Sequence, residues 1–316
     1  MMLVLQLLVD GLIDGGAYAL IGLGLSLTFG QLRRLNLAYG ATAMLASYLG
    51  AALYATQQAP VWLVAVTVIV AATLIGWYVE WMCFARSGEE PGQGGGSAIG
   101  APIAGADGRE VVALASSFAI WMQLEQLAVN LLPQHLNAFP SLAAQQDWVI
   151  DSSLGELMVR PDRLLLALLA AAMVLGLAAW LERSRTGLSW RACADRRVAA
   201  HLVGMPVARL QTAAFAAGCA LSGLAAFAVL SLDGQVTPMF GMWVLLKGLV
   251  AAMLGGLGSV RGVLWGGLFL GVVEAFAQAS VGAQGREFAT YALLFFVLVV
   301  PWKPRQALGL SAGLRG

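Results

Sequence analysis

The chain has 316 residues, of which 59% are hydrophobic and 11% charged, with 17 acids, 18 bases, a net charge of +1 and a mean hydropathy of +0.79. So few charges cannot cover the surface of a soluble protein of this size, which excludes a large soluble enzyme. The abundance of apolar residues excludes intrinsic disorder, and the balanced charge offers no basic face for nucleic acid. What remains is an all-α, polytopic helical membrane protein, because the apolar runs are continuous and do not alternate as barrel strands would.

The first segment, 3–29, opens Met-Met-Leu-Val-Leu-Gln and carries Asp10 and Asp14. It has neither a basic leader nor a small-residue cleavage site, so it reads as a retained first span. The longest uncharged stretch, Leu35 to Val79, would extend roughly 67 Å as one helix, about twice a bilayer core. It therefore divides into 36–57 and 61–84, with Gln57-Gln58-Ala59-Pro60 as the hairpin. Further segments follow at 111–132, 164–181, 211–232, 241–258, 263–282 and 288–302. The expected count is about nine helices, within eight to ten. The Gly-rich pair 241–258 and 263–282, interrupted by Arg261, reads either as two short spans or as half-helices buried in protein.

Between the segments, 87–108 holds eight glycines and three acids, the composition of a flexible linker. A phosphate-binding loop is the alternative, but no Gly-x-x-x-x-Gly-Lys-Ser/Thr pattern supports it. The mixed polar loop 133–163 reads as a connector. In 182–210, residues 189–203 suit one amphipathic helix with Trp190, Ala194, Val198 and Leu202 on a shared face, ended by Gly204 and Pro206. Such a helix lies against either a membrane surface or a partner groove.

Fourteen of the 18 cations fall on one side of this nine-segment layout, six of them within 182–210. Arg160, Arg163 and Arg286 fall opposite, and Lys247 lies inside a segment. The positive-inside rule makes the crowded side cytoplasmic, with the N-terminus outside and the C-terminus inside. Cys83, Cys193 and Cys219 read as free thiols. His135 and His201 lie on opposite sides and cannot share a metal, and no histidine lies near Ser259 to activate it as a nucleophile.

At this point the sequence resembles a known family. Val198-Ala-Ala-His-Leu-Val-Gly204 is similar to the Glu-Ala-Ala-x-x-x-Gly loop of ATP-binding-cassette (ABC) importer permeases, with Val198 in place of the acid. Gly15-Gly-Ala-Tyr-Ala-Leu-Ile-Gly-Leu-Gly24, Phe29-Gly30 and Asn36-Leu-Ala-Tyr-Gly40 resemble the opening of permeases for branched-chain amino acids. Ser184-Arg-Thr-Gly187, Arg191-Ala-Cys-Ala194 and the long stretch from Lys247 through Gly255-Gly256-Leu-Gly-Ser259 to Glu274-Ala275 continue the likeness. Two features depart from the pattern: Tyr39 stands where the family usually has His, and the 87–108 insertion is unusual.

The resemblance implies one permease domain over 1–316, in a bacterial inner membrane. It implies that 182–210 docks on an ATPase through Arg191, Ala199, Ala200 and Gly204. It implies as partners a second permease, two cytoplasmic ATPase subunits and an extracytoplasmic substrate-binding protein. The expected cargo is branched-chain or other small hydrophobic amino acids, with urea or short amides as the alternative. No cofactor is expected on this chain, and it is not expected to be an enzyme, since it has two lysines and no Walker motif; ATP would be used by the partner subunits. An ion-coupled secondary transporter is the competing class, whose cue would be a mid-membrane carboxylate cluster.

Ionisable groups at membrane depth need partners. Lys247 and Glu274 are expected either to pair or to make separate contacts in the protein interior. Asp10 and Asp14 are expected at headgroup level. Asn36, Tyr39 and Gly40, beside a helix break, are candidates for the substrate pathway.

Overall fold

The computed structural model describes residues 2–32, 36–84, 106–131, 137–141, 148–152, 155–159, 161–195 and 197–299. Most of the Gly-rich linker, 85–105, and the cations Arg33, Arg34, Arg86, Arg160, Arg196, Lys303, Arg305 and Arg315 lie outside the described residues. The linker's last three residues, 106–108, belong to a helix instead.

The order is α1 (Met2–Leu32), α2 (Tyr39–Gln57), α3 (Val61–Val79, continued by one π-helical turn, Glu80–Phe84), α4 (Ala106–Leu131), β1 (Trp148–Ser152), β2 (Gly155–Val159), α5 (Pro161–Arg183), α6 (Arg185–Asp195), α7 (Arg197–Leu202), α8 (Val207–Asp233), α9 (Phe240–Gly255), α10 (Val260–Val281) and α11 (Ala283–Val299). Every expected apolar segment contains a helix. Among the described residues, six helices are long and apolar enough to cross a membrane: Val4–Gly30, Val61–Cys83, Val111–Asn130, Arg163–Arg183, Val207–Asp233 and Val260–Val281. Three further helices, α2, α9 and α11, are not among them. The 16 residues of α9 extend about 24 Å, less than a hydrocarbon core of about 30 Å, and the described part of α11 stops at Val299, where the described residues end. Helix α2 is built from Ala, Gly, Ser and Thr among its apolar residues and is buried over most of its length.

Two loops differ from expectation. The connector before α5 holds an antiparallel hairpin, with Trp148 opposite Val159 and Ser152 opposite Gly155. The described residues of the expected amphipathic helix over 189–203 are helical in α6 and α7 up to Leu202, and residue 196 between them lies outside the described residues. The expected shared apolar face is not kept: Trp190 is buried against Trp180 and Leu181, whereas Leu202 is 82% exposed.

Helix α1 is central, packing on α5, α8, α9 and α10. Its contact with α10 is backbone against backbone. A Cβ at Gly15 would sit 2.7 Å from Leu268 Cα, and one at Gly11 2.7 Å from Val272 Cα. Lipid supplies no hydrophobic drive between helices, so such small-residue packing provides the attraction. Helix α3 shows the lipid-facing pattern. Val64, Val68, Ala72 and Gly76 point inward at every fourth position, while Trp62, Val66, Val70, Leu74 and Trp77 are exposed. Ser259 caps α10, its hydroxyl accepting from Gly262 N at 3.2 Å, which gives it a structural use and no catalytic partner.

Candidate functional site

A polar network crosses the apolar interior where α1, α9, α10 and α11 meet. Lys247 of α9 is 1% exposed and Glu274 of α10 2%. Both sit among Gly-rich helices that pack closely around them. The Lys247 ammonium donates to Glu274 Oε1, and also to Thr290 Oγ1 at 2.8 Å. The Thr290 hydroxyl in turn donates to Glu274 Oε1. The second carboxylate oxygen, Oε2, accepts from Tyr18 Oη at 2.8 Å and from Arg286 Nε at 3.1 Å. Arg286 Nη2 reaches onward to Asp14 Oδ2 at 3.1 Å and to the Tyr18 hydroxyl.

Charge bookkeeping explains why this arrangement is tolerated. Lys247 and Arg286 are balanced by Glu274 and Asp14, so the four sum to zero. A buried charge is stable only when paired and hydrogen-bonded, and both Glu274 oxygens are saturated. The lysine gains further from two aromatic faces, 5.3 Å from the Tyr18 ring centroid and 5.7 Å from that of Trp243. Glu287 adds a longer contact, 3.9 Å from Lys247 Nζ, but is 44% exposed.

Of the two arrangements left open for Lys247 and Glu274, the structure has the direct pair. The sequence reading missed Tyr18, Arg286 and Thr290. It set Asp14 near the outer end of the first span without its partner, Arg286. The available signal was stoichiometric: Arg286 stands at the start of an apolar segment, on the side poor in cations, one short step from a segment holding a buried acid.

Beside the network lies a cleft of about 330 Å³. Tyr18 and Trp243 line it, and Ile13, Leu166, Leu169 and Leu232 are among its apolar walls. Asp14, Arg163, Asp233, Arg286 and Glu287 also line it. These residues come from α1, the beginnings of α5 and α11, and the end of α8. The coupling-loop residues lie past the far end of α5. There Arg191 Nη2 donates to Glu182 O at 3.4 Å, and Arg261 pairs with Glu182 at 2.8 Å. Ala199 is exposed and Ala200 buried, and Gly204 has φ +82°, which favours glycine.

Asn36, Tyr39 and Gly40 are elsewhere, in the packed interior. Asn36 is buried, and its Oδ1 accepts from Ala38 N at 3.0 Å. Tyr39 is fully buried and donates to Ile21 O at 2.9 Å. Gly40 abuts the backbone of Gly241. None of the three lines the cleft. Among the described residues no group of three or more His, Cys, Asp or Glu side chains is placed to hold a metal ion.

Comparison with known proteins places this geometry in a family. Residues 7–300 match the family model for the permease component of branched-chain amino acid transport systems. The high-affinity branched-chain amino acid transport system permease protein BraD of Pseudomonas aeruginosa is 29% identical over 305 residues, covering 96% of this chain and 95% of that protein. The permease protein LivH of the corresponding Escherichia coli K12 system is 28% identical, covering 94% of this chain and 93% of that protein. Among solved structures, PsaBC from Streptococcus pneumoniae in complex with Fab aligns over 93% of this chain and 90% of that one, with 15% identity and a TM-score of 0.47. With the family model spanning nearly the whole sequence, the chain belongs to the permease-component family of branched-chain amino acid transport systems.

Proposed function

We propose that this ABC importer permease moves branched-chain or other small hydrophobic amino acids across a bacterial inner membrane into the cytoplasm. It supplies the path and the coupling surface, and no covalent chemistry. ATP is hydrolysed on two separate cytoplasmic ATPase subunits. A second related permease completes the path, and an extracytoplasmic binding protein delivers the substrate. The observation that carries this reading is the full-length match to the permease family, including relatives named for branched-chain amino acid transport. The charge asymmetry of the sequence supports an N-terminus outside and a C-terminus inside. On that orientation α6 and α7 face the cytoplasm, and the cleft opens on the other side.

The buried network also bears on the competing class. An ion-coupled carrier needs a membrane carboxylate that can exchange its cation. Glu274 is instead held by Lys247, Arg286, Tyr18 and Thr290, so it is occupied by fixed partners.

The docking role is tested at Ala199, which is exposed on α7. Ala199→Trp adds bulk on the outside and leaves the interior untouched. The purified permease is expected to melt at its usual temperature while co-purified ATPase drops about tenfold or more, the loss that about 1.4 kcal/mol of binding energy produces. Full retention of the ATPase, with unchanged ATP-dependent uptake, contradicts the role.

A further inference from the structure

Helix α4 has three faces of different chemistry. One is buried through Ala113, Ile120, Leu124 and Ala128, and the helix packs on α2 and the π-helical turn after α3. A second is exposed and apolar, carrying Val111, Phe118, Met122 and Val129, as a surface against lipid should be. The third lies about 100° round the helix from the second. It carries Ser116, Ala119, Gln123, Gln126 and Asn130 at alternating spacings of three and four, with Leu127 on its border. Ser116 is half-buried and the other four are exposed.

The span covers Val111–Asn130. Gln123 therefore lies roughly 4 Å and Gln126 roughly 8 Å from its midpoint, well inside a hydrocarbon core of about 30 Å. Neither amide makes a hydrogen bond among the described residues. No other helix among the described residues exposes an amide side chain more than four residues from its ends. Facing lipid, these groups would lose water with nothing returned. Nor do they suit a tightly packed neighbouring helix. Where α1 meets α10 the contact positions are Gly11, Gly15 and Gly271, whereas two glutamines and an asparagine hold backbones apart. Space kept open beside amides at this depth fills with water.

We propose that Gln123, Gln126 and Asn130 line the water-filled transport path of the assembled importer, with the second permease forming the opposite wall. An amide both donates and accepts hydrogen bonds. It serves the carboxylate and the ammonium of an amino acid in turn, and carries no charge to trap it, so the solute leaves as readily as it enters. With the N-terminus outside, the line runs from mid-membrane to the outer end of α4, the side from which substrate arrives. Reading the solute as an amino acid rests on the proposed function. The wetting of the line does not.

The test is thiol labelling in the complete transporter, reconstituted in vesicles and turning over ATP. Cys83, Cys193 and Cys219 are buried, so a charged methanethiosulfonate reports on an introduced thiol. Gln123→Cys and Gln126→Cys are compared with Met122→Cys and Val129→Cys on the apolar face. A thiol reacts as the thiolate, and apolar surroundings starve it of that form, so the first two are expected to label about tenfold or more faster than the second two. Their modification is expected to block leucine uptake, and leucine to slow their labelling. Gln123→Leu is expected to lower uptake several-fold at unchanged yield of the complex, and Gln123→Asn to retain most of it.

Each face is probed at two positions, so misassembly of one variant does not blunt the comparison. A complex that takes up leucine on ATP while all four thiols stay unlabelled overturns the aqueous line and spares the transport reading. Fast labelling at positions 123 and 126 in a complex that transports no amino acid upholds the line and overturns the transport reading. Equal labelling of the two faces, or labelling of the line without effect on leucine uptake, overturns its assignment to the path.

Discussion

Glu274→Gln is expected to be the most damaging single substitution in the interior. The exchange keeps the shape and removes one charge. It strips Lys247, 1% exposed, of its buried carboxylate, leaving only the half-exposed Glu287 at 3.9 Å, and takes from Arg286 one of its two. The four-residue network changes from neutral to a net charge of +1, with the orphaned lysine buried. Breaking a buried pair from one side costs about 3–5 kcal/mol, most of it the penalty of the orphaned charge. The permease is expected to melt far below wild type in detergent and to accumulate poorly in membranes. Lys247→Met does the same with opposite sign. The double substitution Lys247→Met/Glu274→Gln restores neutrality, since Arg286 keeps Asp14 at 3.1 Å. It is therefore expected to melt above either single variant, because the two changes share one interaction and their effects are not additive. A double variant that loses the sum of the two single losses contradicts the neutral-network account.

Gly271→Val carries the second large effect. Gly271 of α10 packs against the backbone of Gly11 and Gly15 of α1, and a Cβ there would come within 2.6 Å of Gly15 Cα. The obstacle is main chain, so no side-chain rotation relieves it, and α1 also packs on α5, α8 and α9. Overpacking a tight core costs about 1–3 kcal/mol and more where backbone must move. Valine is expected to exceed that range and leave little folded protein, read as loss of the monodisperse peak after extraction. Gly176→Val on α5 is the control. A Cβ at Gly176 meets nothing within 4 Å, so that variant is expected to extract and melt close to wild type. Equal damage at the two sites contradicts close α1–α10 packing as the cause.

The sequence showed the helices well because membrane spans announce themselves by length and composition. It showed less of what depends on where helices end and how they face one another. The 189–203 periodicity treated Trp190 and Leu202 as one face, but a spacing of four drifts round a 3.6-residue turn, and over twelve residues one ends in the interior and the other outside. The β1–β2 hairpin was hidden in a loop too mixed in composition to signal strands.

The site divides in the same way. Lys247 and Glu274 stood out because a charge in an apolar run demands a partner. Their shared partners did not, because Tyr18, Arg286 and Thr290 come from helices far apart in sequence and carry no local pattern. Arg286 looked like a loop residue, and only its position in space shows that it ties Asp14 to Glu274. Asn36, Tyr39 and Gly40 were singled out from a helix break. The same small, polar composition also serves close packing, and the structure puts Tyr39 against Ile21 and Gly40 against Gly241. The cleft had no sequence signature at all, since its five ionisable residues come from four different helices.

The account stands most directly on the source of energy. Vesicles carrying this permease with its partner permease, two ATPases and binding protein are the measurement, with labelled leucine uptake followed as ATP and the ion gradient are varied separately. Uptake is predicted to require ATP and both ATPases, and to persist when a protonophore and ionophores collapse every gradient. Uptake by the permease alone, driven by an ion gradient and indifferent to ATP, would contradict it.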